Sequence, residues 1–174
     1  MPGIGRLAKW ALLATSAWIG VALAVEPSVA LPVLLNPFDD PFMPAMQGRP
    51  CPLPQGPAYS EDERRAESHS RAERGTSCWL AGTCVEPNAY RYDRGIADAV
   101  VAALRADKAL AGASIWVIVQ RRIVMLQGCA ADLAQAARAE SDAQSVPDVQ
   151  VVLPMLALPG QVPRYPLAAS GPAR

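Results

Sequence analysis

Between Asp93 and Val152 the apolar positions change their period in a definite order. Ile96, Val100, Ala103 and Leu104 recur at helical spacing. Ile115, Val117 and Val119 then alternate, and Val124 and Leu126 resume the alternation after Gln120-Arg121-Arg122. A second helical run, Leu133, Ala136 and Ala137, ends near Val146, and Pro147-Asp148-Val149 leads into a last strand through Val152. This order predicts an α+β chain built on a two-layer αββαβ domain, a three-stranded mixed sheet with two helices on one face.

The breaks between these runs are also readable. Asp93 is placed to cap the first helix and Asp132 the second. The first helix should stop before Gly112, and Gly128 should end the second strand. The turn at Arg121-Arg122 lacks the Asn-Gly or Asp-Gly that tight primed hairpins favour. Pro154 cannot donate to a ladder, so the last strand lies at an edge or finishes there.

Alternation also gives the sheet a second face. If Val117, Val119, Val124 and Leu126 look toward the helices, then Trp116, Ile118, Ile123 and Met125 look away. An open sheet face should be polar. Burying one such large side chain is worth ~1.5–3 kcal/mol, so four of them predict a cover. The candidates are the upstream proline-rich segment with Phe38 and Phe42, a second copy of the domain, or another protein or membrane surface. We favour the first, because it also brings Cys51 toward Cys129.

Composition divides the rest of the chain. Residues 1–24 read as an export signal: Arg6 and Lys9, an apolar stretch from Trp10 to Val21, then Ala22-Leu23-Ala24 as the cleavage site. The apolar run is shorter than the ~20 residues that span a bilayer, so no transmembrane segment is expected after cleavage. Residues 25–58 hold nine of the seventeen prolines and should be extended, as a flexible tether or as a strip laid on a surface. Residues 59–88 interleave acids and arginines from Ser60, a helix start, and include the Cys78–Cys84 loop. With no apolar stripe, residues 59–74 read as a solvated helix or a disordered stretch. The domain follows over 89–158, and the proline-bearing tail 159–174 should be disordered.

Export changes the meaning of four cysteines, since an oxidising compartment favours disulfides. Three connectivities are open. Cys78 and Cys84, separated by five residues with Gly82 as pivot, favour pairing with each other, which leaves Cys51 and Cys129. Metal is a weaker reading: there is no CxxC, and the only histidine, His69, lies in a charged stretch.

Charge and motif content narrow the function. Lysine plus arginine and aspartate plus glutamate both total 16, and over 85–158 seven basic residues face eight acidic ones. Nucleic acid is therefore not an expected partner. A nucleophile elbow, a P-loop and a dinucleotide fingerprint are all missing, and the acid pairs fall outside any rigid frame. The reading is a non-enzymatic protein with no cofactor, no metal and no catalytic residues.

The domain resembles the BON family of bacterial envelope proteins. The resemblance rests on Ile96…Val100…Ala103-Leu104, on Ile115-x-Val117-x-Val119, on Val124-x-Leu126-x-Gly128, and on Val146-Pro147-x-Val149-x-x-Val152. Arg121-Arg122 stands where the family has a turn glycine, Asp148 replaces the glycine before the last valine, and Pro154 replaces an asparagine. The resemblance implies a periplasmic or cell-envelope module without catalytic activity that contacts phospholipid or another envelope component. On that reading Arg121 and Arg122 at the hairpin tip, with Arg91 and Arg94 beside them, meet anionic headgroups while Tyr90 and Tyr92 sit at the interface. The alternative is an assembly module that binds an envelope protein through Trp116, Ile118, Ile123 and Met125, or through the proline-rich segment.

Overall fold

The computed structural model describes residues 33–169. The expected export signal, and residues 170–174 of the tail, lie outside them. In chain order the elements are β1 (Leu34–Leu35), β2 (Phe42–Gln47), β3 (Ala58–Tyr59), α1 (Glu61–Gly75), α2 (Ser77–Leu80), α3 (Asp93–Ala106), β4 (Ser114–Gln120), β5 (Ile123–Cys129), α4 (Leu133–Gln144) and β6 (Val151–Ala157). Among the described residues no helix is long and apolar enough to cross a membrane.

The predicted α-β-β-α-β order is present as α3, β4, β5, α4 and β6, but the sheet has four strands, not three. Its order is β2-β4-β5-β6, antiparallel except for the parallel pair β5–β6. The added strand comes from the proline-rich segment. It escaped prediction because Pro44 breaks the strand pattern. An edge strand tolerates such a residue, and the register shifts between Pro44 and Met46. The last strand does not stop at Pro154 but runs on to Ala157 as the other edge.

The inner face is the expected one. Val117, Val119, Val124, Leu126 and Val152 pack with Ile96, Val100, Val101 and Leu104 of α3 and with Ala139 and Ala143 of α4. The phase of α4 differs from prediction: Leu133 and Ala137 are exposed, and Ala139 and Ala143 face the sheet. Small side chains let this helix approach closely, so its contact face carries little hydropathy to read. Asp132 caps it as expected, its Oδ1 accepting from the Gln135 N–H at 2.8 Å. Gly128 has φ of 139°, and a Cβ there would lie 2.0 Å from the Ser114 carbonyl oxygen, so only glycine fits this close strand pairing.

The outer face is covered in part by two strips of the chain itself, closed over β4 and more open at Ile123 and Met125 of β5, which are half-buried. After β2 the chain turns at Gly48, is stapled to the sheet by the Cys51–Cys129 disulfide, and runs back until Gly56 sits against the Phe42 ring. The tail strip lies beside it: the Gln55 N–H donates to the Pro166 carbonyl, the Ala168 N–H to the Leu53 carbonyl, and Tyr165 OH to the Pro52 carbonyl. Tyr165 and Pro54 are buried, Trp116 is only 8% exposed, and Ile118 is buried as well. Two expectations are corrected here. Residues 159–169 are ordered, because Tyr165 gives that stretch a side chain to bury and the upstream strip offers backbone partners. Phe42 belongs to the sheet, not to its cover, and Phe38 packs edge-on against Tyr59 with centroids 5.3 Å apart.

Candidate functional site

The hairpin tip is the most constrained part of the molecule. Gln120 pairs with Ile123, so Arg121 and Arg122 alone form the loop, with φ of 55° and 65°. Both lie in the left-handed region that a primed turn demands and that costs a residue with a Cβ roughly 1–2 kcal/mol. Asp93 holds the turn. Its Oδ2 accepts the Arg121 N–H and its Oδ1 the Arg122 N–H, each at 2.7 Å. The expected helix cap is thus a correction: Asp93 is the first residue of α3, makes no capping bond, and spends both oxygens on the hairpin. Asp93 is 2% exposed, and burial pushes its carboxyl up to about 6 despite two amide donors that favour the charged form.

The residues expected to bind lipid divide into two groups. Arg122, Tyr90, Tyr92 and Trp116 are engaged internally. The Arg122 guanidinium lies 5.0 Å from the Tyr92 ring centre, its Nε donates to the Asp148 carbonyl at 2.8 Å, and its Nη2 meets the Asp148 carboxylate at 3.3 Å. Asp148 itself has φ of 67°, a conformation that suits the glycine it replaces. The Tyr92 hydroxyl accepts the N–H groups of Val85 and Glu86, each at 2.9 Å. Tyr90 is covered by Arg71, and Trp116 is buried on the outer sheet face. The others remain at the surface: Arg91 pairs loosely with Glu86 at 3.5 Å, and Arg94 reaches only the Met43 sulfur, at 3.8 Å. The Arg121 side chain makes no hydrogen bond or ion pair among the described residues.

A second, half-buried cluster, not anticipated, gathers around the buried Asp40 beside this tip. Arg71 of α1 lies between the rings of Phe38 at 4.1 Å and Tyr90 at 4.3 Å, and its guanidinium pairs with the Asp40 carboxylate. Gln120 donates to Asp40 Oδ2 at 2.6 Å and to the Tyr59 hydroxyl at 3.1 Å. The α1 helix therefore does not float: Ser60 and Glu63 form a reciprocal capping box, and Arg71 ties the far half of the helix to Phe38, Asp40 and Tyr90. An apolar stripe was the signal sought in this helix, and an arginine doing the docking leaves none. His69 is exposed and faces Glu73.

The Arg121 side chain faces a polar cleft of about 220 Å³ lined by Arg74, Ser77, Cys78, Thr83, Ala89 and Gln150. No carboxylate lines this cleft; Arg74 donates to the Ser70 hydroxyl and Thr83 to the Cys78 carbonyl, which leaves the Arg121 guanidinium as its unpartnered cation, a group suited to a phosphate or another oxyanion. The cleft joins the hairpin tip to the Cys78–Cys84 loop, whose disulfide is present as favoured, as is Cys51–Cys129. Among the described residues no three histidine, cysteine or acidic side chains are grouped to hold a metal.

Compared with known families, residues 92–158 match the family model described as BON domain. No curated protein and no solved structure matches the chain.

Proposed function

Residues 92–158 form a BON domain, and from that premise we propose that the chain is an exported, non-enzymatic binding module of the cell envelope that contacts anionic phospholipid headgroups. The observation that carries this reading is the unpartnered Arg121 side chain on a fixed turn, facing a carboxylate-free cleft that it shares with Arg74. Asp93 holds the turn's backbone, so the base of the Arg121 side chain is fixed before binding while its rotamers remain to be ordered. Two disulfides suit an oxidising compartment such as the periplasm.

Basic residues near an anionic bilayer contribute about 1 kcal/mol each. Sedimentation with phosphatidylglycerol-containing vesicles should therefore fall about fivefold for Arg121→Ala and further when Arg74→Ala is added. Equal binding by the variants, or no binding by the unmodified protein, overturns the phospholipid reading. Assembly through the apolar sheet face, the alternative, keeps only part of its surface: Trp116 and Ile118 are buried, whereas Ile123 and Met125 are half-buried beside the exposed Val151 and Leu153 of β6.

A further inference from the structure

The stretch from Gly75 to Val85, Gly-Thr-Ser-Cys-Trp-Leu-Ala-Gly-Thr-Cys-Val, is eleven residues without a charge, bounded by Arg74 and Glu86. In a soluble domain such a run is ordinarily buried. Here its large apolar residues lie in water: Trp79 is 49% exposed, Leu80 73% and Val85 90%. Gly82 at its apex, with φ of 70°, has no neighbour within 4 Å of where a side chain would begin.

The tip is also rigid. The Cys78–Cys84 disulfide closes it, the Gly82 N–H donates to the Trp79 carbonyl at 3.0 Å, and the Thr83 N–H to the Cys78 carbonyl at 2.8 Å. Tyr92 fastens its exit through the Val85 and Glu86 N–H groups. A loop held this firmly loses little freedom on docking.

Chemistry beside the tip identifies the partner. Cys78, Ser77 and Thr83 of the loop share their cleft with Arg74 and Arg121. Exposed Trp79 and Leu80, on a loop that flanks a cleft lined by two arginines, suit an anionic bilayer, whose boundary takes amphipathic rings and whose phosphates take guanidinium groups. We infer that the Cys78–Cys84 loop is a membrane-docking tip, inserting Trp79 and Leu80 into the interface of an anionic bilayer while Arg74 and Arg121 hold the headgroups. The anchor lies ahead of the BON match, which begins at residue 92. This rests on the phospholipid reading above and gives it a location.

The full-length chain is labelled with 5-fluorotryptophan, and the Trp79 resonance is assigned by its loss in Trp79→Phe. With phosphatidylglycerol vesicles carrying spin-labelled lipid, that line should broaden, and Trp79→Ser/Leu80→Ser should sediment about tenfold less. Both residues are exposed, so the variant keeps its fold, checked by an unchanged melting temperature. Equal sedimentation of variant and unmodified protein, with a sharp Trp79 line, overturns the inference and leaves the phospholipid reading standing. No sedimentation of the unmodified protein overturns both. A Trp79-dependent dimer formed without lipid assigns the patch to a second copy and overturns it as well.

Discussion

Both faces of the sheet carry large apolar residues, but they are buried in different ways. The inner face is covered by α3 and α4, helices that directly precede or follow the strands they cover. The outer face is covered in part by residues 48–57 and 159–169, which the Pro54–Leu167 bridge joins to each other and the Cys51–Cys129 disulfide ties to the sheet. Local covers form with little loop closure, whereas the outer cover must bring residues 78 positions apart together. A disulfide spanning that distance removes much of the closure cost from the unfolded chain. Thus a domain of modest size acquires a second core from segments that composition alone marks as linkers.

The largest test compares the faces directly. Leu126→Ala on the inner face should cost about 2–5 kcal/mol and Trp116→Ala on the outer face about 3–5 kcal/mol, read by urea unfolding. A Trp116→Ala cost below about 1 kcal/mol would show that the outer cover is only loosely laid down. Next in size, replacing Cys51 and Cys129 together by serine should cost about 2–4 kcal/mol. Hydrogen exchange should then rise in residues 49–57 and 163–168 before it rises in α3. Simultaneous loss of protection would make the faces one cooperative unit.

The pH response sharpens the comparison at the seam where α3 meets the hairpin. Asp93 has a folded pKa raised to about 6 from 3.8, with burial as the main cause. Between those values the folded state holds more protons than the unfolded one. The stability that Asp93 contributes is therefore complete below pH ~4 and lost as pH rises through ~6. Unmodified protein should lose on the order of 3 kcal/mol more than Asp93→Asn between pH 4 and pH 7, by urea unfolding at each pH. Identical pH profiles would show that the carboxylate is not desolvated in the folded chain.

The smallest effect concerns the turn. Arg121→Asn places a residue tolerant of positive φ where no side-chain contact is lost, so stability should rise by about 0.5–1 kcal/mol. Vesicle binding should fall in the same variant. A gain in stability with undiminished binding would mean that the strained arginine serves neither fold nor ligand.

Much of the domain was legible because its cover is local. Helical spacing from Ile96 to Leu104 and alternation from Ile115 to Leu126 report directly which side chains turn inward. The outer cover was legible only as a need, since four apolar residues on the far side required something to bury them. That the tail would share in it was not readable, because Tyr165 is its single aromatic anchor amid prolines. The candidate site was read as a patch of arginines and tyrosines, yet half of these, Arg122, Tyr90 and Tyr92, serve as internal ties. A sequence lists guanidinium groups without saying which already have partners.

Local pattern, then, specified the order of elements, the inward side of each strand, the capping of α4 and the pairing favoured for the cysteines. Tertiary contact alone decided that β2 joins the sheet, that Asp93 serves the hairpin instead of its own helix, that Arg71 pairs with Asp40, and that Trp79 is left in water. The reason is one of range. Periodicity and turn chemistry act over a few residues, while the partner of a buried charge or the cover of a sheet face is fixed by whichever distant segment reaches it first.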